Sequence, residues 1–348
     1  AYPFAPVGPD TPGGAEQVLH RLDEALVRAG HRSVVVACEG SVASGELMPF
    51  RAIRGELRPD RKAEAHRDYR ELIEATIARC RPDVMHLHGV DVAQYLTRQG
   101  PPALVTLHLP PSWYPAELFR PWRPRTVLNP VSNAQARTCP PSPILLPPVP
   151  NGVPVEALRS RHARRGFVLC LGRICPEKGQ HLAIEAARRA GVPLLLAGEV
   201  SDPPEHRRYW REETLPRLGP GVRWLGRAGF ARKRRLMGAA RCVLVPSLAE
   251  ETSSLVAMEA AACGTPVVAF RRGALPETVE DGRTGFLVEN EEEMAAAIQR
   301  TSHIDPELCR ATARRRFSLE DMTGAYLDLY GRLARGEVGA AATEDAPA

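Results

Sequence analysis

The chain has 348 residues, 44% of them apolar and 25% charged, which is enough to build and solvate the cores of two ordinary domains. Its formal net charge of +5 is modest for this length and argues against a dedicated nucleic-acid surface. No run approaches the roughly 18 apolar residues that cross a bilayer, and no charged head followed by an apolar segment marks a signal peptide, so a cytoplasmic protein is expected.

The chain opens at AYPF with little of the apolar strand expected before it, so the first strand is read as truncated. From Gly14 to Ala29 the pattern is helical. Strand candidates follow at Ser33 to Cys38, Asp83 to His88, Ala103 to His108 and Thr126 to Ser132. Between the first two lies the segment 51–70, with seven basic and four acidic residues. It reads as a solvated loop and helix face, or as a weak peripheral contact with anionic lipid.

From Leu145 to Pro154 four prolines and an Asn-Gly pair forbid continuous helix or central strand, which marks an interdomain linker. The rhythm then repeats, with strand candidates at Phe167 to Gly172, Pro193 to Gly198, Val222 to Gly226, Cys242 to Ser247 and Pro266 to Phe270. Helical patterns cover Lys178 to Ala190, Ser253 to Ala262, Glu291 to Gln299 and an amphipathic stretch from Leu319 to Leu333. Short apolar runs alternating with helices are the mark of parallel α/β architecture. The expected domains are 1–150 and 151–318, then a helix over 319–335 crossing back to the first domain, then a disordered tail over 336–348.

Nearly all of the 46 basic residues are arginine; the lysines are Lys62, Lys178 and Lys233. The eight cysteines are dispersed, with none of the close pairing that favours zinc or redox chemistry, so they read as reduced structural thiols.

Two stretches carry candidate chemistry. GRICPEKGQ, from Gly172 to Gln180, joins a buried strand to a helix and flanks the turn with Arg173 and Lys178. It suits a phosphate at the strand's carboxyl end, and a plain solvated loop equally has this form. EETSSLVAMEAAACGTPVV, from Glu250 to Val268, sets Glu251 and Glu259 in a sequence that otherwise reads as buried packing. A buried carboxylate is costly unless paired, and a hydroxyl-rich or cationic ligand is the expected partner. With the helix starting near Ser253, a sugar could meet Glu251, phosphates the N–H groups of Ser253, Ser254 and Leu255, and a ribose diol both oxygens of Glu259. A capped helix bearing two surface acids is the plainer alternative.

Together these motifs, with PGGAEQVLHRLDEALVRAGH, VPNGV and ALPETVEDGRTGFLV, resemble glycosyltransferase family four. The resemblance implies a GT-B fold, two Rossmann-like domains facing a central cleft. It also implies a retaining transfer of a hexose-type sugar from a nucleotide-diphosphate donor to a hydroxyl acceptor on a glycan, lipid-linked sugar or secondary metabolite. Carried onto this sequence, Arg173 and Lys178 would hold the diphosphate and stabilise the leaving group, Glu259 would bind ribose and Glu251 the transferred sugar. Gly13 and Gly14 would admit a close backbone approach, and His108 would lie near the transferred sugar. Thr252, Ser253 and Ser254 stand where members often have an aromatic residue and glycine, so the donor-sugar pocket is expected to differ. With no Asp-x-Asp motif, neither a metal nor a cofactor is expected. Trp113 and Tyr114, just beyond His108, read as an acceptor platform or as loop anchors. A non-catalytic nucleotide-sugar-binding protein, or a GT-B epimerase or phosphorylase, are the alternatives.

Overall fold

The computed structural model describes residues 1–51, 58–160, 162–201 and 203–338. Part of the basic segment and most of the expected disordered tail therefore lie outside the described residues. The chain divides into two compact units: Ala1–Pro150 with the chain from Met322 on, and Asn151–Asp321.

Unit 1 contains α1 (Gly14–Arg28), β1 (Val34–Cys38), β2 (Glu46–Phe50), α2 (Pro59–Cys80), β3 (Met85–Leu87), α3 (Val92–Tyr95), β4 (Ala103–Leu107), β5 (Thr126–Pro130) and α4 (Asn133–Thr138). β1 and β2 pair in parallel, as do β3, β4 and β5 in that spatial order. Every residue of β4 and β5 is buried, which explains why both read as unbroken apolar runs.

Unit 2 contains α5 (Val155–Leu158), β6 (Val168–Leu171), α6 (Gln180–Arg189), β7 (Leu194–Ala197), α7 (Pro204–Tyr209), β8 (Val222–Trp224), α8 (Phe230–Ala239), β9 (Val243–Val245), α9 (Leu255–Ala262), β10 (Val267–Phe270), α10 (Leu275–Thr278), β11 (Gly285–Val288), α11 (Glu291–Arg300) and α12 (Pro306–Arg316). Its six strands form one parallel sheet in the order β11-β10-β9-β6-β7-β8. The two-residue period of a strand sorts the side chains onto opposite faces. Leu169, Val243, Val245, Val267 and Ala269 join a core with Ala257, Ala260 and Ala261 of α9. Their neighbours Val168, Cys170, Leu244, Val268 and Phe270 join another with Ile184, Met294 and Ile298.

The last helix, α13 (Leu319–Ala334), begins in unit 2, where Val153 and Leu319 exchange backbone hydrogen bonds with Phe317 and Val153 respectively. From Met322 on it belongs to unit 1, where Tyr326 is buried and its hydroxyl lies 3.2 Å from Thr106 Oγ1.

Candidate active site

The strand order of unit 2 reverses between β6 and β9, which are neighbours although far apart in sequence. Loops leaving such a pair at their carboxyl ends diverge to opposite sides and open a crevice, the usual ligand position in an open parallel sheet. Arg173 and Lys178 leave β6, and Glu251 leaves β9. The fold therefore brings the two chemistry-bearing stretches to one place.

The β6 loop ends in a 3-10 turn, Pro176–Lys178, followed by Gly179 in the left-handed region at φ 62°. A Cβ at Gly179 would stand 2.3 Å from the Pro246 carbonyl oxygen, so a side chain there would push the two loops apart. Leu248 donates its N–H to the Glu177 carbonyl at 2.8 Å, tying the loops further. Across this seam Lys178 Nζ reaches Glu251 Oε1 at 2.5 Å, and Ser247 Oγ donates to the same oxygen. Arg173 holds its loop through its carbonyl, which accepts from Gln180 Nε2 at 2.7 Å, and its side chain is exposed.

A third segment closes on Glu251 from the β10 side. Ala274 N–H donates to the Glu251 carbonyl at 2.6 Å, and Gly273 N–H donates to Glu250 Oε2 at 2.5 Å. Gly273 has φ 53°, and a Cβ on it would meet the Glu251 carbonyl oxygen at 2.2 Å. This position accepts only glycine without a local rearrangement.

α9 starts at Leu255, two residues later than the sequence pattern suggested. The reason is its cap: Ser254 Oγ accepts from Ala257 N–H at 3.4 Å, which places Ser254 at the N-cap and Ser253 outside the helix. Ser253 Oγ is buried with no hydrogen-bond partner among the described residues. The first N–H groups of a helix have no partner within it, so the mouth of α9 offers donors beside an unsatisfied hydroxyl.

Glu259 lies little more than one turn into α9 and is almost wholly buried. The expected ligand is not its first partner, because Lys233 of α8 forms an ion pair with its Oε1. Lys233 takes one acceptor site of Oε1, while a carboxylate offers about four in all, so both oxygens can still accept from a ligand. Lys233 was hidden in the basic run RKRR, where only its being a lysine in an arginine-rich chain set it apart.

In unit 1, Gly13 is the extended N-cap of α1 and Gly14 its first residue. His86, His88 and His108 cluster at and just beyond the ends of β3 and β4. His88 Nδ1 lies 2.9 Å from His108 Nε2, while His86 bridges Thr106 Oγ1 at 2.7 Å and the Tyr330 hydroxyl at 2.6 Å. Burial holds all three below the usual histidine range, with His108 lowered to about 4. They are neutral near pH 7.

Trp113 is 51% exposed. Tyr114 is not available for that role: it is 5% exposed, and its hydroxyl accepts from the N–H groups of His108 and Leu109 at 3.0 and 3.3 Å. Its aromatic body fills the unit 1 core and its polar tip caps the turn after β4, so it is an anchor.

Two family profiles match the chain, one in each unit: "Glycosyltransferase Family 4" over residues 12–144 and "Glycosyl transferases group 1" over residues 165–303. The chain belongs to the family-four glycosyltransferases. D-inositol 3-phosphate glycosyltransferases of Mycobacterium tuberculosis and Mycobacterium bovis are 37% identical over 189 residues, covering 50% of this chain and 38% of theirs. The chain thus spans well under half the length of these curated relatives. Among solved structures, AviGT4, a glycosyltransferase involved in avilamycin A biosynthesis, superposes with a TM-score of 0.71 at 25% identity, covering 97% of this chain and 94% of that one. Sucrose-phosphate synthase from Thermosynechococcus elongatus gives 0.79 at 22% identity, covering 95% and 96%. Anabaena HepE in complex with UDP and glucose gives 0.72 at 20% identity, covering 94% and 98%. The fold of this family-four member is GT-B, with parallel α/β sheets in both units.

Proposed function

We propose that this chain is a retaining glycosyltransferase that moves a hexose-type sugar from a nucleotide-diphosphate donor to a hydroxyl acceptor. The acceptor classes are a glycan, a lipid-linked sugar or a secondary metabolite. One observation carries the reading: Lys178 and Glu251 meet across the β6/β9 switch point, beside the mouth of α9. A lysine ammonium has three N–H donors, so Lys178 can keep Glu251 and still face phosphate oxygens.

In this proposal Arg173 and Lys178 hold the diphosphate and neutralise the charge that builds on it as the glycosidic bond breaks, the step where preorganised charge contributes most. The N–H groups at the mouth of α9, with Ser253, Ser254 and Leu255, meet phosphate oxygens, which would satisfy the orphan Ser253 hydroxyl. Glu259 offers its Oε2 to a ribose hydroxyl while Lys233 fixes Oε1. Glu251, oriented by Lys178, contacts the transferred sugar. From unit 1 we assign His108 to sugar transfer, Gly13 and Gly14 to close backbone approach, and Trp113 to the acceptor.

Transfer proceeds without a cofactor and without Mg²⁺ or Mn²⁺ on the diphosphate, because the two cations take that part. No helix among the described residues is long and apolar enough to cross a membrane, and we propose a cytoplasmic site of action.

A thermal-shift screen of UDP-, GDP- and dTDP-sugars, followed by assay of donor consumption, tests the proposal. A specific donor at 100 times its dissociation constant should stabilise the protein by about 2.7 kcal/mol. A flat response to every donor, with no donor consumed, would overturn it.

A further inference from the structure

We infer that Cys175, Glu177 and His206 form a binding site for a zinc-type divalent ion, on the flank of the β6 loop. Among the described residues this is the one group of three such side chains whose ligand atoms all lie within 4.8 Å of one another. Glu177 Oε2 is 3.8 Å from His206 Nε2. Zinc bonds of about 2.0–2.3 Å place tetrahedral ligand atoms roughly 3.3–3.8 Å apart, so the three need only small rotations to close on an ion.

The His206 ring is already oriented for an ion. His206 Nδ1 lies 2.7 Å from Ser201 Oγ, which fixes the ring; with the proton on Nδ1, the lone pair of Nε2 faces the cluster. Cys175 donates its S–H to the Arg173 carbonyl at 3.6 Å, a contact it gives up with its proton on binding an ion as the thiolate, and the Glu177 carbonyl is held by Leu248 N–H. Cys175 is 1% and His206 7% exposed, so the thiol and imidazole are already withdrawn from bulk water. A thiolate, an imidazole and a carboxylate are the donor set that zinc prefers over Mg²⁺ or Ca²⁺, which take oxygen ligands. The fourth position is left to a water or an anion oxygen.

The ion would fasten the β6 loop, with Arg173 and Lys178, to α7. It is separate from the diphosphate cations proposed above, and Mg²⁺ would not replace it. Cysteine and histidine come from distant parts of the chain, which is why no sequence spacing announced the cluster.

Metal-free protein titrated with Co²⁺ tests the site without any donor or turnover. The expected result is one equivalent bound per chain, with a thiolate-to-cobalt charge-transfer band that is lost in Cys175→Ser and in His206→Ala. Ser201→Ala keeps all three ligands and should weaken binding about 10- to 100-fold, so the inference stays testable if either ligand variant folds poorly. Zn²⁺ should displace Co²⁺ and raise the melting temperature. Absence of the charge-transfer band, its persistence in Cys175→Ser, or unchanged affinity in Ser201→Ala would each overturn the inference.

Discussion

Lys233 of α8 and Glu259 of α9 are ion-paired inside unit 2, where the lysine is 8% and the glutamate 3% exposed. The chain's other two lysines are also paired, Lys62 with Asp91 at 3.0 Å and Lys178 with Glu251 at 2.5 Å. A lysine ammonium is a compact point charge on a flexible stem, whereas arginine presents a planar fork. Removing one partner of a buried pair strands the other's charge at a cost of about 3–5 kcal/mol, whereas replacing both with apolar groups is often neutral. Lys233→Met should therefore lower unfolding stability by that amount, and adding Glu259→Met should recover most of it. Urea denaturation of the single and double variants measures this. The double variant should stay unresponsive to the sugar nucleotide that stabilises the wild type, which separates the structural role of the pair from the binding role of Glu259.

Lys178 is the more exposed of the two site lysines, and its proposed work is on the ligand. Lys178→Ala and Glu259→Ala should each reduce transfer by at least about tenfold, the scale of a lost charged or buried polar contact. Steady-state assays on folded variants decide it. Near-normal turnover in both would remove these residues from the site.

Much of the fold is legible in the sequence. The central strands of unit 2 are buried on both faces and read as apolar runs, whereas the placing of Arg173, Lys178 and Glu251 at one site comes from the resemblance to family four, because the β6–β9 neighbourhood is set by sheet order and not by any local pattern. β2 escaped notice because Pro49 and its polar flanks disguise a strand paired on one side only. α2 was masked by its charges, although Ala65, Tyr69 and Ile73 are buried at a helical spacing of four. In α8 a run of four basic residues looks uniformly solvated, and only tertiary packing selects Lys233 for burial. The Cys175, Glu177 and His206 cluster depends on α7 folding back beside the β6 loop, a contact that no local pattern encodes.

Trp113 and Tyr114 are adjacent in sequence and opposite in environment, which makes them a paired test. Trp113→Ala removes an exposed ring, so it should raise the acceptor KM severalfold while leaving the melting temperature within about 2 °C of wild type. Tyr114→Phe deletes the hydroxyl that holds the His108 and Leu109 N–H groups. It should cost about 1–3 kcal/mol of stability, the penalty for stranding buried donors. Acceptor kinetics and calorimetry run on both variants check the division of roles. An unchanged acceptor KM in Trp113→Ala would end the platform assignment.

The histidine cluster sets a low-pH limit. His86, His88 and His108 are held neutral by burial, His108 down to about pH 4, whereas an unfolded histidine takes its proton near pH 6.5. Below pH 6.5 the unfolded chain binds protons that the folded cluster refuses, so stability present above that pH is lost as the pH falls toward 4. At roughly 2–4 °C per kcal/mol for a domain of this size, the melting temperature should drop by several degrees or more across that window. His88→Gln removes one titrating ring and can still hydrogen-bond to His108, so it should make the slope between pH 6.5 and 4 shallower. Scanning calorimetry at half-unit steps reads the slope directly. Equal slopes in the variant and wild type would assign the acid sensitivity to other groups.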